Sequence, residues 1–236
     1  MSRHAGLFGA GDSHLARYAT RFDAVEINSS FYRPHAAGTY ARWAASVPPD
    51  FRFSVKLPKA ITHDARLQRT GDALSRFADQ VAGLGRQLGG VLVQLPPSLA
   101  FDARIASTFF ATLRRRLDAP IACEPRHASW FDARVDAIWR RYGVARVAAD
   151  PARLPEAAQP GGCGRWRYWR LHGSPRMYYD AYDNARLRAI ASDLRTGARP
   201  GQPSWCIFDN TAAGHAVADA ARLQQLLTQA GDGTRA

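Results

Sequence analysis

Lysine is almost missing from this chain. Of its 32 basic residues only Lys56 and Lys59 are lysines, and every other one is arginine. A surface that needs only positive charge accepts either residue. A compact or deprotonatable ammonium can be supplied by lysine alone. The scarcity therefore singles out the segment Phe51-Arg-Phe-Ser-Val-Lys-Leu-Pro-Lys59. Cysteine is scarce too: Cys123, Cys163 and Cys206 lie far apart. That spacing excludes a cysteine-rich zinc site, and an odd count with no export signal points to a reducing, cytoplasmic setting. No apolar run is long enough to span a membrane or to serve as a signal-peptide core. There is no basic tail and no alternation of arginine with aromatics of the kind that tracks a single nucleic-acid strand.

What is present suits a globular protein. The 236 residues are 46% hydrophobic and 11% aromatic, which fits a packed core and not disorder. The formal charge of +12 favours an anionic partner. Against a nucleic-acid surface stands the distribution of the arginines. Arg76, Arg86, Arg104, Arg114 to Arg116, Arg134, Arg140 and Arg141 recur at helical intervals, as on solvated outer faces.

Short β-type runs alternate with helical patterns. Strands are expected over 24–28, 51–57, 90–95, 121–124, 144–149, 166–172 and 205–208. Helices are expected over 15–21, 39–46, 74–88, 102–115, 132–142, 184–194 and 215–227. In the 74–88 run, Leu74, Phe77, Val81, Leu84 and Leu88 form one stripe. Repeated β-then-α units with buried strands predict a parallel sheet covered by helices, in one domain without a linker. Seven strands are one short of an eight-stranded α/β barrel, with the open doubly wound sheet as the rival. The opening Met1-Ser-Arg-His-Ala-Gly-Leu-Phe reads as if the first strand had already ended, so a barrel lacking that strand in the chain as given is expected.

The strand ends carry the chemistry. Toward their C-termini the strands present Glu26 and Asn28, Lys56, Gln94, Glu124 and Arg126, Asp150, Arg170 and His172, and Asp209 and Asn210. Parallel α/β proteins bind ligands at that edge. Single polar residues there are often loop anchors, but several charges of both signs are costly to bury unless they pair or serve a ligand.

The motifs resemble one family. Phe22-Asp-Ala-Val-Glu-Ile-Asn-Ser-Ser-Phe-Tyr32, Trp43 with Pro48, Phe51-Arg-Phe-Ser-Val-Lys56 and Ile61-Thr-His63 come first. Val93-Gln-Leu-Pro-Pro97, Glu124-Pro-Arg-His-Ala-Ser-Trp130, Arg170-Leu-His-Gly173 and Phe208-Asp-Asn210 follow in the same order. Together they resemble the YecE-like family, the bacterial domain of unknown function 72. The resemblance covers nearly the whole chain and implies a TIM-like (β/α) barrel; it implies no reaction. The Gly-Thr-Ser-Gly-Trp-like first strand usual in the family is absent.

From the site itself we expect Glu26, Lys56, Glu124 and His172 as catalytic groups. Lys56 can pair with Glu26, or act as a base or Schiff-base nucleophile if its pKa is lowered. Asn28, Tyr32, His63, Gln94, Arg126, Trp130, Arg170 and Asn210 are the expected substrate contacts. Arg126 and Arg170 suit a carboxylate or phosphate, and Tyr32 and Trp130 a pocket wall. No obligatory metal is expected, because Lys56, Arg126 and Arg170 would repel a cation near Glu26, Glu124, Asp150 and His172. No cofactor is called for. The expected partner is a small anionic ligand, with a phosphorylated sugar or a nucleotide fragment among the candidates; the alternative is a non-catalytic protein that binds nucleic acid or nucleotide on a basic surface, and no membrane is expected. The residues specify no oligomeric state.

Overall fold

The structure, a computed structural model, describes residues 2–232. The chain divides into two compact units. The first runs to Arg146 and includes Gly162–Arg165; the second holds Val147–Gly161 and the chain from Trp166 onward.

The first unit alternates helices and strands: α1 (His14–Ala19), β1 (Ala24–Ile27), α2 (Ala37–Ala45), β2 (Arg52–Lys56), α3 (Gly71–Val81), β3 (Leu88–Gln94), α4 (Ala103–Arg116), β4 (Ile121–Glu124), α5 (Ala133–Tyr142) and β5 (Val144–Arg146). The strands lie in the order β1-β2-β3-β4-β5, and the pairs from β1–β2 to β4–β5 are all parallel. The second unit contains β6 (Ala148–Asp150), β8 (Arg167–Leu171), α6 (Asn184–Arg195), β9 (Ser204–Phe208) and α7 (Ala216–Asp232). Its sheet has the order β6-β8-β9, again parallel. Between them β7, the pair Gly161–Gly162, adds to the β5 edge.

This is an α/β fold built on parallel strands, as the alternating pattern predicted. Two details differ. The run 144–149 is not one strand: it breaks at Val147, so that Val144–Arg146 pairs with β4 and Ala148–Asp150 with β8. The hydrogen-bonded ladders accordingly form a six-stranded and a three-stranded sheet, not one closed ring of strands. The 74–88 helix also stops early, at Val81, and continues as a 3-10 segment, Ala82–Gln87.

That early stop has a packing cause. A Cβ on Gly83 would lie 2.2 Å from the Ala37 carbonyl oxygen, so the backbones of α2 and this segment touch where no side chain fits. Gly85 then takes a left-handed φ of +53°, which a helix cannot carry. Gly83→Ala must push main chain apart and should cost about 3 kcal/mol. Urea unfolding should show a lower midpoint at unchanged slope.

Helix starts and ends follow local chemistry. Asp102, Asp132 and Asp183 each accept a hydrogen bond from a first-turn N–H of α4, α5 and α6. Gly143 closes α5 in the left-handed conformation. Ala106, Phe109, Phe110 and Leu113 of α4 and Val135, Ile138 and Trp139 of α5 are buried, so each helix presents one apolar face.

Strand side chains alternate between the two sheet faces, and this sorts chemistry from core. In the first unit Ile27, Phe53, Val55, Val91, Val93, Ile121 and Cys123 belong to the same buried cluster as the apolar faces of α3, α4 and α5. Glu26 pairs with Ser54, Lys56 with Leu92, and Gln94 with Glu124. Those residues occupy the alternate positions, so Glu26, Ser54, Lys56, Gln94 and Glu124 share the opposite face. In the second unit Ala148, Trp169 and Leu171 pack with Leu187, Ile190, Ala191 and Leu194 of α6 and with Leu223 of α7.

Candidate functional site

Lys56 ends β2 with its side chain buried; the residue is only 6% exposed. Its Nζ lies 4.1 Å from the centroid of the Phe31 ring. A desolvated ammonium on an aromatic face gains about 2 kcal/mol, which fixes its position without neutralising it. Phe31 is brought there by the 3-10 turn Ser29–Phe31 that follows β1. Ser30, in the same turn, donates toward the Lys56 carbonyl at 2.7 Å and the Ile27 carbonyl at 3.0 Å, tying the ends of β1 and β2 together. Lys59 is different: it is half exposed and pairs with the exposed Asp64 at 2.9 Å.

Two strands further on, Glu124 is buried and takes both Nε and Nη2 of Arg126 on its Oε1, each at 2.8 Å. Gln94 stands opposite Glu124 in the register and is buried as well. Ser54, between Glu26 and Lys56 on this face, is fully buried, and its hydroxyl has no hydrogen-bond partner among the described residues.

His63 completes the cluster. It sits in a π-helical turn, Ala60–Asp64, an irregularity often found at functional sites. The chain beyond it is held in an unusual course. Arg66, Leu67 and Arg69 have left-handed φ, Leu67 is buried, and the Arg66 guanidinium donates to Ser98 Oγ and O at 3.2 and 2.9 Å. The imidazole packs edge-on against Phe31 at 4.9 Å and bonds Thr62 Oγ1 through Nδ1 at 2.8 Å. Partial burial lowers its pKa, and the positive charges of Lys56, Arg126 and Lys59 lower it further against the opposing Asp64. The lowered pKa favours the neutral imidazole, a base in the field of cations.

The second unit has its own polar cluster. Arg170 is completely buried and donates through Nη2 to Asp209 Oδ2 at 2.8 Å. The same oxygen lies 3.3 Å from His172 Nδ1. A carboxylate at Nδ1 favours the tautomer whose Nε2 can accept a proton. Tyr178 stands edge-on to His172 at 5.5 Å.

A family model described as "Protein of unknown function DUF72" matches residues 8–236. The chain belongs to the DUF72 family. It is 33% identical to the UPF0759 protein YecE of Escherichia coli K12 over 86 residues, 36% of this chain and 32% of YecE. It is 28% identical to the UPF0759 protein YunF of Bacillus subtilis over 130 residues, 52% of this chain and 45% of YunF. The chain thus spans less than half of the length of these curated relatives. Among solved structures it resembles a DUF72 family protein from Enterococcus faecalis, with a TM-score of 0.79 at 20% identity, covering 96% of this chain and 92% of that one. A DUF72 family protein from Thermotoga maritima matches with a TM-score of 0.74 at 24% identity, covering 88% and 85%. At such identities the structural likeness speaks for the DUF72 fold alone.

Within this DUF72 chain, the residues singled out from the sequence fall into three groups. Lys56, His63, Gln94, Glu124 and Arg126 gather at the strand ends of the first unit, with Glu26 on the same sheet face. Asn28 and Tyr32 flank the turn that carries Phe31, and Tyr32 stands out into solvent. Arg170 and His172 belong to the second unit's cluster.

Three expectations require correction. Trp130 is no pocket wall: it is buried in the helix-side core, stacked on Trp139 at 5.7 Å, with Nε1 donating to the Leu99 carbonyl. Asn210 is a structural anchor. Its Nδ2 donates to Asp219 Oδ2 at 2.7 Å and to the Asp180 carbonyl at 3.0 Å. Asp150, read as part of the polar ring, instead shares the row of Leu171 and Phe208 and binds Arg186 of α6 at 2.6 Å. Phe31 and Ser54 went unnoticed in the sequence. The alternation through Phe53, Val55 and Lys56 already set Ser54 on the lysine's side.

Cys123 is fully buried on the helix side, and burial pushes its thiol well above the usual range, which makes it an inert apolar group. Among the described residues no group of three or more His, Cys, Asp or Glu is placed to hold a metal ion. No described helix is long and apolar enough to cross a membrane.

Proposed function

We propose that the strand ends of the first unit bind a small anionic, phosphorylated ligand and that the protein is an enzyme using acid/base or lysine-assisted chemistry. The observation that carries this reading is the buried ammonium of Lys56, held on the Phe31 ring in a chain that otherwise uses arginine. Lys56 and Arg126 supply positive potential, Gln94 and Asn28 hydrogen bonds, and His63 a neutral base. Glu26 and Glu124 are the proposed carboxylates of the chemistry. Glu124 serves either by orienting Arg126 or by exchanging a proton once ligand displaces it. In the second unit His172, steered by Asp209, is the proposed proton carrier, with Arg170 holding that carboxylate. Scattered free cysteines support a cytoplasmic setting. We also propose that the strands belong to one TIM-like barrel in a single domain. The parallel pairing of β1 through β5 and of β6, β8 and β9 supports it, and an experimental structure with two independently oriented sheets would overturn it.

The anion-binding reading is tested by titrating the His63 imidazole by NMR, with and without inorganic phosphate. Without ligand the midpoint should lie below the ordinary histidine value of about 6.5. Between those two pH values the unfolded chain takes up a proton that the folded one refuses, so stability contributed at His63 falls as pH drops through that window. Bound phosphate offsets the field of Lys56 and Arg126, so the midpoint should move up. A midpoint unmoved at saturating phosphate, or no phosphate binding at all, would sink the reading.

A further inference from the structure

The first unit displays an aromatic ring that its own packing leaves uncovered. Tyr32 is 80% exposed, the most exposed of the large apolar side chains among the described residues. Its ring meets Phe31 edge-on, with centroids 4.9 Å apart and planes at 89°. Phe31 in turn carries the Lys56 ammonium at 4.1 Å and the edge of His63 at 4.9 Å. One small ring thus links an open tyrosine to a buried cation.

The charge of the chain is distributed in the same sense. The first unit holds 22 Lys and Arg against 12 Asp and Glu, the second 10 against 8. Nearly all of the excess positive charge therefore lies on the unit that bears the ring. An exposed aromatic ring packed on a second ring that carries a cation is an arrangement that can accept a stacked base with its phosphate.

We propose that this site takes a nucleotide, with the phosphate at Lys56 and the base stacked on Tyr32. The inference rests on the anion-binding reading above and adds the planar ring to it. A free nucleotide and the phosphorylated end of a single nucleic-acid strand present the same two groups. The unpartnered Ser54 hydroxyl, on the sheet face of Lys56, is a further hydrogen-bonding group for the guest.

The test is calorimetric titration of the full chain with inorganic phosphate, ribose 5-phosphate, AMP and a 5′-phosphorylated oligoadenylate. AMP should bind about tenfold more tightly than ribose 5-phosphate, the share expected of one stacked base. Tyr32→Ala should erase that difference, and Tyr32→Phe should keep it. As Tyr32 is a surface residue, neither variant threatens folding. An oligonucleotide that binds more tightly than AMP and loses affinity steeply with salt identifies a strand end as the source. Equal or weaker binding identifies the free nucleotide. If AMP and ribose 5-phosphate bind alike while both still need Lys56, the nucleotide inference is wrong and the anion reading stands. If no phosphate-bearing probe binds, both fall together.

Discussion

Lys56→Arg should weaken the proposed phosphate binding by about a hundredfold, the scale of a close charge contact that loses its geometry, and leave the melting temperature close to that of the parent chain. Arginine keeps the positive charge and can still rest on Phe31, so the fold and the gross electrostatics survive. It cannot keep the geometry. A planar five-donor head is wider than an ammonium, and it holds its proton at any accessible pH. The pocket that buries Lys56 to 6% exposure leaves little room for the difference. Lys59→Arg is the control, because that side chain is about half exposed and pairs with the exposed Asp64. Affinity for phosphate and melting temperature, measured for both variants in one experiment, decide the matter. If the two variants bind alike, the scarcity of lysine is an accident of composition.

Arg170→Ala should be the most destabilising single change in the second unit. It removes the cation from a pair in which the guanidinium is fully buried and leaves the Asp209 carboxylate, itself only 15% exposed, without its 2.8 Å partner. Breaking such a pair from one side costs about 3–5 kcal/mol, or on the order of 10 °C in melting temperature for a chain of this size. The loss is local. Arg170 lies in β8 and Asp209 directly follows β9, so amide exchange should speed up in those two strands first. Removing both partners, in Arg170→Ala with Asp209→Ala, should recover part of the loss, since Asp209 no longer stands without its guanidinium. A single variant that unfolds within about 1 kcal/mol of the parent would show that the pair behaves like a surface ion pair and does not hold the strands.

The polar cluster of the first unit was legible because two residue types are rare. Besides the two lysines, the chain has only three glutamates, Glu26, Glu124 and Glu156. Two of those three share a sheet face with Lys56. A chain that places its few lysines and glutamates at strand ends leaves a trace in composition. The arginines carry no such trace. Arg114 was read as one of many solvated helix residues. Its guanidinium in fact reaches the carbonyls of Ala119, Tyr142 and Gly143 and fastens the end of α5 to α4.

Local pattern by itself determined the order of strands and helices, the parallel α/β class and the family, because period-two and period-3.6 alternation and capping residues are written in neighbouring positions. Local pattern also put Lys56, Glu26, Gln94 and Glu124 at strand ends. Tertiary structure alone decided which of the polar ends gather into a cluster. Asp150 and Asn210 look like Glu124 and Asp209 in the sequence, but each lies one step away in the alternation and binds a helix instead. A shift of one residue at a strand end turns a side chain from one sheet face to the other. Trp130 was lost to the core for another reason: the 3-10 turn Ala128–Phe131 folds its indole back onto Trp139. Phe31 became the centre of the site only when its turn brought the ring under Lys56 and against His63, residues 25 and 32 positions away. Contacts over such distances depend on how turns close, and the residue pattern within any one segment does not encode them.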